Sequence, residues 1–147
     1  MKPTPRFKRV IGYAKESVSR LRHSQVSSAH LVLGLLAIGN GIPHNVLRKV
    51  GLSVEHVESY LSLLRPFADD SALADGVTLG PSALLAIERA GAEASARGLT
   101  YTSTDVLVLA IAKEENGEAA DLFASLHIDA KRIAVIVSQE LGYSRTL

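Results

Sequence analysis

The side chains of this sequence best suited to acid–base chemistry or metal ligation are five histidines, His23, His30, His44, His56 and His127. A helical zinc site needs two ligands on one face, as in an H-x-x-x-H pair, and a further donor nearby. No such pair occurs and no carboxylate stands at metal spacing, so no metal is expected. Cysteine is absent, which excludes disulfides, thiolate ligands and a cysteine nucleophile, and fits a reducing compartment. There is no G-x-x-x-x-G-K-[ST] loop and no G-x-S-x-G elbow. Gly39-Asn40-Gly41 follows a helical run instead of a strand, and reads as helix punctuation rather than a phosphate cradle. No catalytic residue, cofactor or enzymatic activity is therefore assigned.

What remains is the chemistry of recognition. Residues 1–65 hold ten Lys/Arg against three Asp/Glu, a balance of +7, whereas residues 66–147 hold six against twelve, a balance of −6. A basic face for an acidic partner or a nucleic acid would show this asymmetry, and so would two halves that attract each other. The cations cluster near the start, with Arg6, Arg9, Arg20 and Arg22 as candidate contact residues. Nucleic-acid binding would also draw on Lys2, Lys8 and Lys15, but the acidic second half and the scarcity of aromatic stacking residues argue against it.

The elements that must carry these side chains follow from hydrophobic spacing. Ser27-Ser28-Ala29-His30-Leu31-Val32-Leu33-Gly34-Leu35-Leu36 is a hydroxyl pair followed by an apolar run, and 76 positions later stands Ser103-Thr104-Asp105-Val106-Leu107-Val108-Leu109-Ala110-Ile111-Ala112. Each run is too long for a strand and suits a buried helix capped by Ser or Thr. His30 then becomes a buried or half-buried imidazole satisfied by a backbone or hydroxyl partner. The same offset relates Pro5 to Pro81, Ile11 to Ile87, Ala14 to Ala90 and Asn40-Gly41 to Asn116-Gly117. A constant offset over about sixty positions signals duplication.

In chain order, Thr4-Pro5 opens a helix striped by Phe7, Val10, Ile11, Ala14, Val18 and Leu21. His23 to Val26 reads as a connector, and the central helix runs from about Ser28 to Ile38. Pro43 begins a short helix, and Ser53 caps a fourth that Arg65-Pro66 ends. Phe67 to Thr78 reads as a linker. Asp129 takes the capping role of Ser53 in the second copy, and Gly142 closes the last helix. The fold class is thus all-α: eight helices in two pseudo-twofold four-helix repeats, about 4–65 and about 79–142, forming one domain over 1–147 with a linker at about 66–78. The helix opening the second copy carries Ala83, Ala86, Ala90, Ala92, Ala94 and Ala96, and is expected to lie closer to its neighbours than its counterpart. Phe67 and Ile42, at the repeat junction, are candidates for lining a partner groove. No stretch reaches the roughly 20 apolar residues of a membrane span, no opening run resembles a signal peptide, and the cytoplasm is the expected compartment.

The segments Thr4-Pro5-Arg6-x-Lys8-x-Val10-Ile11, Val26-Ser27-Ser28-x-His30-Leu31-x-Leu33-Gly34-Leu35, Gly39-x-Gly41-Ile42, Val46-Leu47 and Gly51-Leu52-Ser53 resemble the N-terminal domain of Clp/Hsp100 unfoldases, of the ClpC and ClpA type. The resemblance covers nearly the whole chain and is closer in the first repeat than in the second. It implies a two-repeat helical bundle that docks Clp ATPase or protease subunits, adaptor proteins, or unfolded or tagged substrates, without nucleic acid or membrane. It also implies a cytoplasmic location, or the chloroplast stroma in a plastid-bearing source. The chain would be either a standalone relative or an N-terminal domain apart from its ATPase modules. ClpC-type domains that recognise phosphorylated arginine carry a Glu just before the His of the central helix, where a carboxylate can pair with the guanidinium. Here that position is Ala29 in the first copy and Asp105 in the second. Asp105 is therefore the fifth candidate contact residue, and phosphoarginine binding is expected to be weak or absent at the first site.

Overall fold

The computed structural model describes residues 2–64 and 76–142, so the expectations for Arg65-Pro66, Phe67 and most of the linker fall outside the described residues. Eight helices are present among them: α1 Pro5–Leu21, α2 Ser28–Ala37, α3 Ile42–Lys49, α4 Val54–Leu63, α5 Pro81–Ala96, α6 Thr104–Ala112, α7 Glu118–Ser125 and α8 Ala130–Glu140.

The starts are set by short polar side chains. Thr4 Oγ1 accepts from the Phe7 N–H at 3.2 Å, with Pro5 at the first helical position. Ser27, Ser53 and Ser103 each accept the N–H three residues on, and Asp129 accepts from Lys131 at 3.0 Å. Each satisfies a donor the helix itself leaves free. The stops fall where the backbone turns left-handed, as at Gly39 (φ 83°) after α2 and Gly142 (φ 67°) after α8.

Four two-residue strands add what helical periodicity does not reveal. β1 (Lys2–Pro3) pairs in parallel with β4 (Tyr101–Thr102), and β2 (Gln25–Val26) with β3 (Thr78–Leu79). The connector at His23 to Val26 and the last residue of the expected linker, Thr78, are therefore strand-forming. The register is Lys2 to Tyr101 and Gln25 to Thr78, so each ladder maps onto the other under the 76-residue offset. Two more hydrogen bonds repeat the symmetry: Thr4 N–H to Thr102 C=O at 3.0 Å, and Gly80 N–H to Val26 C=O at 2.8 Å. The sequence duplication is thus a spatial pseudo-twofold, with each repeat's first helix anchored to the other repeat.

The core is continuous across both copies. Every residue from Ser28 to Leu36 in α2 is buried, as are Thr104 and Val106 to Ala112 in α6. α3 packs across onto α8, and α7 onto α2.

A close helix approach in this fold falls on a glycine outside the Ala-rich α5. In the first repeat, a Cβ at Gly34 would stand 2.5 Å from the Val10 carbonyl oxygen, so α1 and α2 meet backbone to backbone. The second repeat has Ala86 and Ala110 at these positions, so a Cβ stands where the first repeat has none. Ala92 and Ala96 of α5 are exposed. Gly34→Ala should consequently destabilise the chain by about 1–3 kcal/mol despite the better helix propensity of Ala, because a backbone oxygen cannot yield. Ala110→Gly should cost only the propensity difference of about 1 kcal/mol. Urea unfolding of both variants tests this; an unchanged midpoint for Gly34→Ala would refute the close approach.

Candidate protein-docking site

The pseudo-twofold creates two junctions, at the N-termini of α1 and α5. At the first, Arg6 in the opening turn of α1 reaches the connection after α2, donating through Nη2 to the Asn40 carbonyl at 2.8 Å and to Asn40 Oδ1 at 2.7 Å. The space for it comes from Gly41, held at φ 94°, where a Cβ would lie 2.7 Å from Nη2. Asp105 stands half-buried in the first turn of α6. Burial pushes its carboxyl above the ordinary range, and the charge of Arg6 pulls the other way. The charges of Arg6 and Asp105 therefore act on each other across the repeats.

At the second junction the counterparts of Arg6 and Asp105 are Ser82 and Ala29, and the chemistry differs. Ala29 has no exposed surface. Ser82 Oγ accepts the Ser28 N–H at 2.9 Å, capping α2 from the other repeat. The carboxylate here comes from Glu114 instead. Its Oε2 accepts from Ser28 Oγ and from the Ala120 N–H, both at 3.0 Å, while Ser28 Oγ accepts the Ala119 N–H at 2.9 Å. Together they cap α7, whose N-cap residue, Gly117, has no side chain. A Cβ at Gly117 would sit 2.8 Å from the Glu114 carboxylate carbon. Burial raises the Glu114 carboxyl, opposed by these hydrogen bonds. The sequence hinted at this only through a glycine where a capping hydroxyl is usual.

His30 is satisfied as expected, and joined to a second histidine that the sequence reading did not pair with it. Its Nδ1 accepts the Ser27 N–H at 2.9 Å, closing a capping box. The His30 proton is therefore on Nε2, which donates to His23 Nδ1 at 2.8 Å. His23 must then carry its own proton on Nε2, a buried nitrogen without a partner in good geometry, whose surrounding acceptors are the Leu61 and Leu64 carbonyls. Burial, with the charge of His23 second, lowers His30 to about 4. Burial also lowers His23, against the pull of those two carbonyls.

The remaining candidates do not converge. Arg9 is exposed on α1 beyond Arg6, and Arg22 caps the far end in a left-handed conformation (φ 61°). Arg6 and Arg22 are 16 residues apart on the helix, roughly 24 Å. Arg20 is engaged by Glu58 at 2.8 Å and Glu16 at 3.7 Å. Ile42 packs half-buried against the core. Among the described residues, no group of three His, Cys, Asp or Glu side chains is placed to hold a metal ion. No single helix there is long and apolar enough to cross a membrane.

A family model described as the Clp repeat (R) N-terminal domain matches residues 2–126, the first repeat and most of the second. The chain belongs to the Clp N-terminal domain family. Among its relatives, a probable ATP-dependent Clp protease ATP-binding subunit of Chlamydia pneumoniae is 30% identical over 138 residues, covering 94% of this chain and 16% of the relative. The ClpC/MecB negative regulator of genetic competence of Bacillus subtilis is 28% identical over 143 residues, covering 97% and 17%. The chain thus spans about a sixth of the length of the curated relatives it matches. The Hsp104 N-terminal domain of Candida albicans superposes with a TM-score of 0.81 at 14% identity, covering 99% of this chain and 95% of that one. The N-terminal domain of the caseinolytic protease associated chaperone ClpD of Arabidopsis thaliana gives 0.77 at 15% identity, covering 95% and 97%. In this Clp N-domain the fold is that of the Hsp100 proteins, and the resemblance read from its motifs holds.

The buried histidine pair gives this domain a pH dependence. The unfolded chain binds protons on these histidines near pH 6.5 and the folded chain does not, so stability falls as pH drops from about 6.5 toward 4. For His30 alone the loss reaches about 3 kcal/mol. Asp105 and Glu114 oppose it, because their raised carboxyls take up protons more readily in the folded state. Urea midpoints measured from pH 7.5 to 4 should fall steeply for the unmodified chain and flatten for His30→Asn, whose amide oxygen can still accept the Ser27 N–H. Parallel curves would exclude the pair as the source.

Proposed function

We propose that this chain is a non-catalytic protein-interaction domain of the Clp system, docking adaptors, substrates or Clp subunits. The observation that carries the reading is the family match over residues 2–126. Its support in the geometry is that the buried polar groups at the junctions are committed to capping and bridging, which leaves recognition to the outer faces. Location follows the partner, in the cytoplasm or a chloroplast stroma. Capture from native lysate by the purified chain, followed by mass spectrometry, should enrich Clp ATPase, protease or adaptor subunits at moderate salt. Enrichment of none of these would defeat the reading.

Phosphoarginine is recognised weakly or not at all at Ala29, which offers no carboxylate. It is recognised at Asp105 only in competition with Arg6, whose charge already acts on that side chain. Calorimetry with free phosphoarginine should show at most weak binding that Asp105→Ala abolishes. Binding that survives Asp105→Ala would overturn the assignment.

The nucleic-acid alternative rests on Lys2, Arg6, Lys8, Arg9, Lys15, Arg20 and Arg22, of which Lys8, Arg9 and Lys15 are exposed along α1. It requires an affinity that falls steeply with salt, and a gel shift with no retardation at low salt ends it.

A further inference from the structure

Each repeat's central helix is capped by a serine, yet only the first repeat sets a histidine pair against that cap. The residues 76 positions beyond His23 and His30 are Leu99 and Val106, which offer no ring nitrogen. The two rings meet edge to face, their centroids 5.0 Å apart and their planes at 73°. They stand at one of the two places where the repeats are fastened together. His23 precedes β2, and His30 lies in the first turn of α2. Between them, Val26 accepts the Gly80 N–H and pairs with Leu79, and the Ser28 N–H is capped by Ser82. A cleft of about 180 Å³ beside the pair, with Gln25, Leu64, Gly80, Ser82 and Glu118 in its lining, gives solvent a route to it.

In its neutral form the pair has no vacant place for a proton. His23 Nε2 and His30 Nε2 each carry a hydrogen, and both Nδ1 lone pairs are in use, that of His23 by His30 and that of His30 by the Ser27 N–H. An added proton can land only on an Nδ1. On His23 it sets two N–H groups face to face, and the 2.8 Å contact survives only if the His30 hydrogen moves to its own Nδ1. On His30 it occupies that Nδ1 directly. The new Nδ1–H can turn to Ser27 Oγ, 2.9 Å away, but the Ser27 N–H then loses its acceptor. Proton uptake therefore either parts the two rings or breaks the capping box of α2. Ser27 is buried, so its orphaned N–H recovers a partner only when the junction opens to water.

We propose that proton uptake by the His23–His30 pair unfastens this junction, breaking the Ser27 capping box and freeing β2 from β3. The β1–β4 junction holds, because Leu99 and Val106 stand there in place of the histidines. The charged groups around the pair modulate the switch. Glu118 of α7 lines the cleft and favours charged rings, while a charge on His23 disfavours one on His30. Arg22, adjoining His23 at the end of α1, is exposed. α4 presents the Leu61 and Leu64 carbonyls to His23, and β2 and α5 present Gln25 and Ser82, none of which titrates. Glu114, bonded to Ser28, opposes the opening, since its raised carboxyl takes up protons more readily in the closed state. Asp105 steadies the other junction in the same sense.

Amide hydrogen exchange of the whole chain, followed by NMR and corrected for the intrinsic pH dependence of exchange, tests this. Two donors related by the offset are compared, Gly80 N–H at this junction and Thr4 N–H at the other. With His30 at its ordinary 6.5 when open and about 4 when closed, lowering the pH from 7.5 to 5 multiplies opening about thirtyfold before the opposition of Glu114. Gly80 and Ser27 should lose at least tenfold in protection over that range, while Thr4 changes less than twofold. Long-range proton–nitrogen spectra should place the His30 hydrogen on Nε2 at pH 7.5 and show its loss along the same pH curve. The double variant His23→Leu, His30→Val installs the residues of the sister repeat and should make Gly80 protection independent of pH. Equal losses at Gly80 and Thr4 would reduce the effect to global stability and overturn the proposal. Constant protection at Gly80, or a ring titration that leaves it unmoved, would do the same. If circular dichroism shows the double variant unfolded, the comparison within the unmodified chain decides.

Discussion

The constraint on which the rest of this structure depends is that α2 and α6 are apolar on every side. A helix with one hydrophobic stripe needs one neighbour, whereas a helix buried all round must be covered from all directions. With Ser28 to Leu36 and Val106 to Ala112 inaccessible to water, neither repeat can shield its own central helix. The two are packed against each other, and the remaining six helices close the shell. The same constraint explains the polar groups at the buried helix starts. Backbone N–H groups withdrawn from water need acceptors, which accounts for Ser27 and Ser103 as local caps and for Ser82 reaching α2 from the other repeat.

Duplication supplied the backbone frame, and the side chains then diverged within it. The two ladders and the Thr4–Thr102 and Gly80–Val26 hydrogen bonds obey the pseudo-twofold because main-chain groups are the same whatever residue carries them. The junction chemistry does not obey it. One junction holds a guanidinium on an Asn with a carboxylate opposite, while the other holds a carboxylate on one helix N–H group and on a serine that accepts the neighbouring N–H. Both occupy space vacated by a positive-φ glycine, Gly41 or Gly117. The helix crossings diverged in sequence as well, with a glycine, Gly34, at the close approach of α1 and α2 and Ala110 at the corresponding position.

For a domain of this family, such divergence bears on where partners can be held. The junction carboxylates are partly withdrawn from solvent and engaged from within the chain, so a partner seeking them competes with internal donors. The outer faces differ as well: α1 exposes Lys8, Arg9 and Lys15, and α5 exposes Leu84 and Leu85 where α1 has Lys8 and Arg9. Two copies of one fold therefore offer two different surfaces.

The sequence by itself determined the helices, their caps and the duplication, because hydrophobic period, capping hydroxyls and a fixed 76-residue offset are local or linear signals. Thr4, Ser27, Ser53, Ser103 and Asp129 could be read as caps from their positions alone, and the buried state of His30 from its apolar neighbours. The family followed from motif and spacing together. Only the tertiary structure decided which side chains met across the pseudo-twofold. The four short strands are too brief to have a period, Glu114 caps a helix six residues on in company with a serine 86 positions away, and His23 meets His30 through the turn between two helices. Arg6 and Asp105 were singled out separately, and the fold brings each within reach of the other's charge. A close helix contact at Gly34 was not legible from composition, because two backbones can meet where a residue lacks a Cβ and composition does not say where helices cross.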